Sequence, residues 1–333
     1  MLTFATLFSG IEGWGMGAEA AGFRQIWACE IAPFPRKVLA ARRPGLRVYD
    51  DIRRLHAGGE CVQLAERGIA RVGGGADRGG DKCAALLTDT RCPDCCERPD
   101  ILIASPPCQD LSVAGRRAGL AGARSGLFYD FARLAGELQP SWICMEQVPG
   151  LLSSNGGRDF AAVLRTLDEL GFGLAWRTLD SRYLGVPQRR RRIYLVGRAG
   201  EPCPAEVLFE PEGGDGDIAE GVEEGESAAG EIGDGVAGTL GGRNRGDELD
   251  RHGAYIPEVA YSLTSGTPSV RRLTPTECER LQGFPDGWTC LCGVEPYDTN
   301  TCTCADGNRY AALGNAVTVN ASAWVLGRLA AIP

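Results

Sequence analysis

A thiol stands at the end of an apolar run in the segment "ILIASPPCQD", which covers residues 101–110. The two prolines restrict the backbone, so Cys108 is presented in a fixed place just beyond a predicted strand. An arginine cluster at residues 189–192 would favour the thiolate if both segments line one cleft. Such a cysteine is suited to nucleophilic attack, although most cysteines are inert packing residues. The turn-forming and polar residues around Cys108 favour the nucleophile.

Other candidate catalytic or ligand-binding residues also come directly after predicted strands. They are Gly10, Gly13, Glu30, Asp51 and Glu146. In open α/β sheets ligands bind beyond the carboxyl ends of the strands, so these residues are expected to share one cleft with Cys108. Glu30 comes about twenty residues after Gly10, which is the spacing of an acid that binds ribose hydroxyls in a nucleotide-binding crossover.

Strands and helices alternate along the chain. The predicted strands include "LTFATLF", "DILIAS", "SWICMEQ" and "RRIYLVG", and the predicted helices include "GLFYDFARLAGEL" and "DFAAVLRTLDEL". This alternation predicts a doubly wound, mainly parallel α/β sheet. Residues 57–99 interrupt it with a Gly- and Cys-rich insertion, and the acidic, Gly-rich stretch 212–234 has the composition of a linker that divides the chain.

Composition indicates a globular protein of the cytoplasm. The chain has 333 residues, 44% of them hydrophobic, and a formal charge of −8, which argues against a general nucleic-acid coat. We find neither a long apolar stretch nor a secretory leader, so we expect no membrane partner and no export. The fourteen cysteines are then expected to be reduced thiols, metal ligands or a nucleophile. The presence of only two histidines argues against a mechanism built on a histidine base.

Six segments resemble the motifs of DNA (cytosine-5)-methyltransferases and occur in that family's order. They are "TLFSGIEGWGMGAEAAGF", "ASPPCQDLSVAG", "MEQV", "YLGVPQRRRRIYLVG", "RRLTPTECERLQGFPDGW" and "RYAALGNAV". The similarity covers about residues 3–55, 100–200 and 271–330. It implies a Rossmann-like methyltransferase sheet in a catalytic domain at residues 1–200, and a small, irregular target-recognition domain at 201–304. A C-terminal helix at 305–333 would return to the catalytic domain.

The resemblance implies a covalent mechanism on a cytosine that is flipped out of double-stranded DNA. Cys108 would add to C6 of the base, so that C5 can accept the methyl group of S-adenosylmethionine. Glu146 would hydrogen-bond the ring N3 and the exocyclic amine. Arg190 would contact the base O2, while Arg192 would hold the glutamate and Gln188 would order the loop. Water or hydroxide would remove the C5 proton.

The resemblance also implies a pocket for S-adenosylmethionine. Its residues would be Phe8, Gly10, Ile11, Gly13, Glu30, Ile31, Asp51, Ile52, Pro107, Leu127, Asn315 and Val317. Glu30 is expected on the ribose, with Asp51 at the edge of the adenine. Ile31, Ile52 and Leu127 fit equally well as plain core residues.

Two positions depart from the family's motifs. Glu12 stands where the family usually has glycine. That change predicts either an altered approach of the backbone to the cofactor or an acid near the cofactor's amino group. Gln147 stands where asparagine is usual, so the hydrogen bond that shapes the Cys108 loop is expected to shift.

DNA recognition is expected in the segment "VAGTLGGRNRG", which resembles the family's Thr-Leu pair at the start of recognition loops. The candidates for DNA contact are Thr239, Arg243 and Arg245. An arginine there would either read a guanine edge or touch phosphate.

Two C-x-C pairs lie near the C-terminal motif and contain Cys290, Cys292, Cys302 and Cys304. Four thiolates suit a structural zinc ion. Because C-x-C is a less usual ligand spacing than C-x-x-C, surface thiols without metal are the alternative.

From the resemblance we expect a bacterial or phage enzyme, a monomer, that serves restriction-modification or protection from restriction. Its restriction endonuclease, if it has one, would be a separate protein, because the chain contains no endonuclease motif. Two alternatives stay open, namely a tRNA cytosine-5 methyltransferase and a DNA-binding homologue that no longer catalyses. The Thr-Leu pair favours DNA, and the intact catalytic motifs argue against the loss of catalysis.

Overall fold

The computed structural model describes residues 1–57, 95–107, 126–210, 258–261, 269–293 and 303–333. The strands are β1 (Thr3–Leu7), β2 (Arg24–Cys29), β3 (Arg47–Tyr49), β4 (His56–Ala57), β5 (Cys95–Cys96), β6 (Ile101–Ala104), β7 (Trp142–Gln147), β8 (Phe172–Asp180), β9 (Arg191–Ala199), β10 (Glu258–Tyr261) and β11 (Ser269–Arg272). The α-helices are α1 (Gly13–Ala20), α2 (Pro33–Arg42), α3 (Leu127–Leu138), α4 (Gly150–Ser153), α5 (Arg158–Glu169), α6 (Pro275–Leu281), α7 (Asp306–Asn315) and α8 (Val319–Ala330). None of these described helices combines the length and the apolar character that crossing a membrane requires.

Seven strands form one sheet in the order β3-β2-β1-β6-β7-β9-β8. The pairs β3–β2, β2–β1, β1–β6 and β6–β7 are parallel, whereas β9 runs antiparallel to both of its neighbours. The predicted doubly wound, mainly parallel sheet is therefore confirmed. The strand order reverses between β1 and β6, and ligands of such sheets bind in the crevice beyond the strand ends at that switch point.

The central strands are apolar because helices cover both faces of the sheet. Every residue of β6 and β7 is buried, as is typical of strands in a parallel sheet. Helices α3 and α5 contribute to the core on one face, and α1 and α8 contribute to the core on the other. In α3 the residues Phe128, Phe131 and Leu134 are buried at helical spacing, which is why this segment folds as an amphipathic helix.

Helices α1 and α8 approach each other so closely that side chains are excluded between them. A Cβ atom at Gly17 would lie 2.1 Å from Ser322 Oγ. A Cβ atom at Gly13 would lie 2.0 Å from the carbonyl oxygen of Val317, just before α8. Ser322 Oγ donates a hydrogen bond to the Gly13 carbonyl at 2.7 Å. Glycine is needed at both positions, and α8 completes the helix layer that α1 begins.

A third packed group joins α6, the turn that follows it and α7 to the first part of the chain. Leu273, Phe284 and Leu313 share a core with Ile11 and Val38. Residues 273–291 fall within the stretch 201–304 that the sequence assigns to target recognition. These residues bury their apolar side chains against residues of the predicted catalytic domain. The predicted domain boundary at residue 200 therefore does not separate two packed units here.

Candidate active site

The glycine loop joins β1 to α1 at the switch point of the sheet. Phe8, Gly10 and Glu12 have φ angles of 54°, 55° and 70°, in the left-handed region. Among the described residues, no atom lies within 4 Å of the place where a Cβ of Gly10 would be, so they leave the loop open on that side. Trp14 Nε1 donates a hydrogen bond to Ser105 Oγ at 3.0 Å. The glycine loop and the segment after β6 therefore lie side by side.

Glu30 follows the end of β2 and is 8% exposed. Its Oε2 accepts the N–H of Gly10 at 2.7 Å, and its Oε1 accepts the N–H of Ala32 at 2.7 Å. Burial raises the pKa of this carboxyl, and the hydrogen bonds from the backbone oppose the rise. The neighbouring Ile31 is 63% exposed and is not a core residue. A hydrogen-bond acceptor and an exposed apolar side chain thus stand together beside the glycine loop.

Asp51, Ile52 and Leu127 make mainly structural contacts. Asp51 accepts the N–H of Arg53 at 3.0 Å and pairs with the guanidinium of the same residue. The hydrogen bond from Arg53 lowers the pKa of Asp51. Ile52 is buried in the core, and Leu127 packs against that core. Ile52 is thus a core residue, as one of the two interpretations of the sequence allowed, although it is next to Asp51, which is predicted at the edge of the adenine.

The remaining residues of the predicted pocket differ in accessibility. Ile11 and Val317 are buried, and the backbone of Val317 lies against Gly13. Asn315 is exposed at the end of α7, and Pro107 is half-buried. Asn315 and Pro107 are therefore open to a ligand, whereas Ile11 and Val317 contribute packing.

The side chain of Glu12 points into the protein. Its Oε1 accepts hydrogen bonds from Thr6 at 2.7 Å and from Gln25 at 2.9 Å. A Cβ atom at Gly15 would lie 2.0 Å from Glu12 Oε2, so the carboxyl group fills the space of a side chain at position 15. The hypothesis of an acid near the cofactor's amino group is wrong, because the left-handed backbone at Glu12 directs its side chain towards β1 and β2.

We expect Glu12→Gln to stabilise the protein increasingly as the pH rises. Burial raises the pKa of Glu12 above its ordinary value of 4.5. Its stabilising contribution is therefore complete below that value and is lost as the pH rises through the folded-state pKa. The loss is at most about 1.4 kcal/mol per pH unit. Glutamine does not titrate, and its amide can donate to Gln25 Oε1, which is buried without a partner among the described residues.

Urea unfolding of the parent and of Glu12→Gln at about pH 5 and about pH 8 measures this effect. Glu19→Gln in α1, the helix that follows Glu12, is the control, since Glu19 is an exposed partner of Arg43 and such pairs contribute about 0–1 kcal/mol. A gain of equal size at both pH values would contradict the buried-carboxyl explanation.

Glu146 and Arg192 form an ion pair across β7 and β9. Arg192 Nε lies 3.0 Å from Glu146 Oε1, and the glutamate is 8% exposed. The two atoms are at ion-pair distance but are not aligned for a hydrogen bond, and Oε1 is buried without one from the described residues. Burial and the Glu146 charge raise the pKa of the neighbouring Tyr194. The carboxyl group is thus held by one guanidinium and keeps hydrogen-bonding capacity for another group.

Arg190 is 3% exposed and holds a backbone turn. Its Nη2 donates to the carbonyl oxygens of Gly314 at 3.2 Å and of Ala316 at 2.8 Å. The predicted contact with the base O2 does not match this geometry, because the guanidinium is buried against the end of α7. Arg192 is the arginine that lies beside Glu146.

Two glutamines connect the loops around this pair. Gln188 is fully buried and donates from Nε2 to the carbonyl of Leu281 at 3.1 Å. Gln147 Nε2 donates to the carbonyl of Pro106 at 3.0 Å. Gln147 thus reaches the start of the Cys108 loop with a bond of ordinary length, despite its extra methylene group.

One connection has no counterpart in the sequence predictions. Trp288 Nε1 donates to the carbonyl of Ile11 in the glycine loop at 2.8 Å. Arg42 of α2 donates to the carbonyls of Gly287 at 2.6 Å and of Trp288 at 3.0 Å. The segment after α6 is therefore bonded to the glycine loop. Ile11 and Trp288 are 277 positions apart in the chain, so no local sequence pattern indicates their contact.

Cys290, Cys292 and Cys304 bring their sulfur atoms within 4.8 Å of one another. Hydrogen bonds, above all from the Thr303 side chain, lower the pKa of Cys292 to about 6.

Five residues named from the sequence lie outside the described residues, so their roles stay predictions. They are Cys108, Thr239, Arg243, Arg245 and Cys302.

Known proteins resemble this chain along most of its length. The family model for C-5 cytosine-specific DNA methylase matches residues 87–207 and 237–330. The Type II methyltransferase M2.BsuMI of Bacillus subtilis (strain 168) is 30% identical over 96% of this chain and 73% of its own length. A protein of Escherichia phage P1 named DNA N-6-adenine-methyltransferase is 26% identical, and the alignment covers 98% of this chain. The chain spans only 61% of that phage protein.

A solved structure supports the fold independently of sequence. The Dnmt2 methyltransferase of S. pombe superposes with a TM-score of 0.60 at 18% identity, covering 98% of each chain. The family model includes the strands that carry Glu146 and Arg192 and the helices that close the glycine loop. The chain belongs to the C-5 cytosine-specific DNA methylase family.

Proposed function

We propose that this protein transfers a methyl group from S-adenosylmethionine to C5 of cytosine in double-stranded DNA. The observation that carries the proposal is the Glu146–Arg192 pair, whose glutamate stands on β7, the strand next to β6. Gln147 adjoins Glu146 and bonds to the Pro106 carbonyl. The chain that leads to Cys108 is therefore bonded to the residue next to Glu146.

The chemistry of these residues suits addition to a pyrimidine. The Cys108 thiolate forms a bond to C6 while N3 gains a proton that it shares with the Glu146 carboxyl group, so C5 gains nucleophilic character. Arg192 stabilises the carboxylate that remains. S-adenosylmethionine, when bound, supplies the methyl group that C5 accepts. Water or hydroxide then removes the C5 proton, the C5–C6 double bond forms again, Cys108 leaves as thiolate and N3 returns its proton to Glu146.

The residues at the switch point fit S-adenosylmethionine. The Glu30 carboxyl can accept hydrogen bonds from two ribose hydroxyls, and the exposed Ile31 offers an apolar surface to the purine. The open side of Gly10 leaves room for the ligand next to the backbone. The accessible Pro107 and Asn315 are suited to close the pocket.

The DNA would be read by residues that the sequence places around 236–246. C5 of a stacked cytosine cannot be reached, so the base must leave the duplex. M2.BsuMI is by its name a Type II methyltransferase, which supports a role in modification alongside a separate restriction endonuclease. We propose that the enzyme works as a monomer in the cytoplasm of a bacterium or of a phage-infected host.

A covalent adduct tests the function directly. In the presence of S-adenosylmethionine, duplex DNA from a random-sequence library that contains 5-fluorocytosine should trap the protein, because after methyl transfer the fluorine at C5 cannot be removed as a proton. Cys108→Ser should form no adduct, whereas Cys203→Ser should form as much as the parent.

Nucleoside mass spectrometry of ordinary DNA after reaction completes the test. We expect 5-methylcytosine. The phage P1 relative is named as an N-6-adenine-methyltransferase, so N6-methyladenine is the product to look for as the alternative. Methylated adenine without methylated cytosine would overturn the proposal. Methylation of tRNA alone would move the substrate from DNA to RNA.

Glu30→Ala is expected to weaken S-adenosylmethionine binding by at least about tenfold. Hydrogen bonds to a charged acceptor contribute about 1.5–3 kcal/mol each, and Glu30 is the acceptor proposed for both ribose hydroxyls. Titration calorimetry measures the change, with Glu169→Ala at the exposed end of α5 as the control. Unchanged affinity in a folded Glu30→Ala protein would place the ribose elsewhere.

A further inference from the structure

Three thiols outside the proposed active site converge on one point. The Sγ atoms of Cys290, Cys292 and Cys304 all lie within 4.8 Å of one another. The Cys304 sulfur is 3.3 Å from that of Cys292 and 3.9 Å from that of Cys290. Four sulfurs around a tetrahedral zinc ion at 2.3 Å would be about 3.8 Å apart. The cluster therefore has nearly the dimensions of a zinc–thiolate site.

Backbone N–H groups point at two of these sulfurs. Leu291 N–H donates to Cys304 Sγ at 3.1 Å, and Thr303 N–H donates to Cys292 Sγ at 3.1 Å. Each of the two chain segments thus donates to the sulfur of the other. Donors of this kind stabilise negative charge on sulfur, and metal sites use such surrounding hydrogen bonds to orient their ligands.

The first segment of the cluster is anchored before it reaches the sulfurs. Glu279 is fully buried and accepts the N–H groups of Gly287 at 2.7 Å and Thr289 at 2.8 Å. Arg42 Nη2 donates to the carbonyl of Cys290 at 2.8 Å. The first cysteine is therefore fixed between α6 and α2.

The second segment is anchored through α7. Cys304 stands two residues before α7 begins. Arg309 of that helix pairs with Glu279 at 3.1 Å and bonds to Thr289 Oγ1 at 2.8 Å. The same buried carboxylate thus holds both segments, and the thiols meet where the two anchored segments approach each other.

We propose that Cys290, Cys292 and Cys304 bind a structural zinc ion. The ion would join the segment of Cys290 and Cys292 to the segment of Cys304 and keep the turn that carries Trp288 against the glycine loop. Sulfur-rich tetrahedral sites select zinc or iron–sulfur centres. Zinc held by four protein ligands is of the structural rather than the catalytic kind, so a fourth thiol would complete the site. Cys302, the fourth thiol named from the sequence, lies outside the described residues, so its ligation stays a sequence prediction.

Elemental analysis of the full chain, purified without chelator, tests the proposal. We expect close to one zinc per chain, and loss of most of it in Cys292→Ser and in Cys304→Ser. Cys203→Ser is the matched control, because Cys203 is also half-buried but packs with a different core cluster. Its zinc content should equal that of the parent.

Two measurements on the unsubstituted protein keep the test decisive if the serine variants do not fold. Titration with a mercurial reagent should release zinc as the thiols are modified, and cobalt(II) exchanged into the site should show sulfur-to-metal charge-transfer absorption. Removal of the metal should lower the melting temperature by several degrees. A metal-free protein that gives no cobalt–thiolate absorption, iron in place of zinc, or a Cys292–Cys304 disulfide in peptide mapping would overturn the proposal.

Discussion

Replacing Glu146 with glutamine should lower the turnover number by about 10²–10⁴-fold, which is the usual contribution of a positioned acid or base. Glutamine keeps the size of the side chain but cannot deliver a proton to N3 of the base. The ion pair with Arg192 would also be lost. Single-turnover methylation of DNA measures the effect, and the affinity for S-adenosylmethionine should stay within about twofold of the parent's.

Glu137→Gln is the matched control for this substitution. Glu137 also pairs with an arginine, Arg133, at 2.6 Å, but on helix α3 and away from the crevice. Its turnover should equal that of the parent. Full turnover in both variants would contradict the prediction, because the proton needed at N3 would then come from another group.

Substituting alanine for Gly13 should destabilise the protein by about 1–3 kcal/mol or more. The added Cβ would meet the carbonyl oxygen of Val317 at 2.0 Å, and backbone on both sides leaves little freedom to move. The start of α1 would have to shift, and the glycine loop with it. Denaturant unfolding measures the loss, and cofactor binding should weaken in parallel.

Gly327→Ala distinguishes this clash from the general effect of replacing a helical glycine. Gly327 lies in α8, and no atom of the part of the chain that the structure describes lies within 4 Å of its would-be Cβ. Alanine there should raise the stability by about 0.5–1 kcal/mol, because it restricts the unfolded chain and favours the helix. A Gly13→Ala protein as stable as the parent would mean that α1 and residue 317 are less closely packed than described.

Apolar runs were sufficient to predict most of the sheet. Strands β1, β6 and β7 bury almost every residue, so their sequences differ clearly from the polar loops around them. Strand β8 has no such run, since its buried positions alternate irregularly with half-buried and exposed ones such as Trp176. The antiparallel direction of β9 depends on its long-range neighbours, and no local pattern encodes it.

The site shows the same division between local and long-range information. The spacing of motifs placed Glu30 and Glu146 at strand ends, because parallel strands bring their carboxyl ends to one edge. The guanidinium of Arg190 donates to carbonyls more than 120 residues away. These contacts could not be predicted from the position of Arg190 in its own motif. For Glu12, the side-chain direction depends on a left-handed backbone that glycine normally supplies.

The contact between Ser322 and Gly13 joins residues that are 309 positions apart in the chain. During synthesis at about 5–20 residues per second, Ser322 follows Gly13 after roughly 15–60 s. Until then the start of α1 lacks the helix that covers it, and its apolar side remains open to chaperones or to other nascent chains. The glycine loop reaches its final form only after α8 has been synthesised. A chain whose synthesis stops before α8 would therefore contain Cys108, Glu146 and Arg192 but an unfinished cofactor loop.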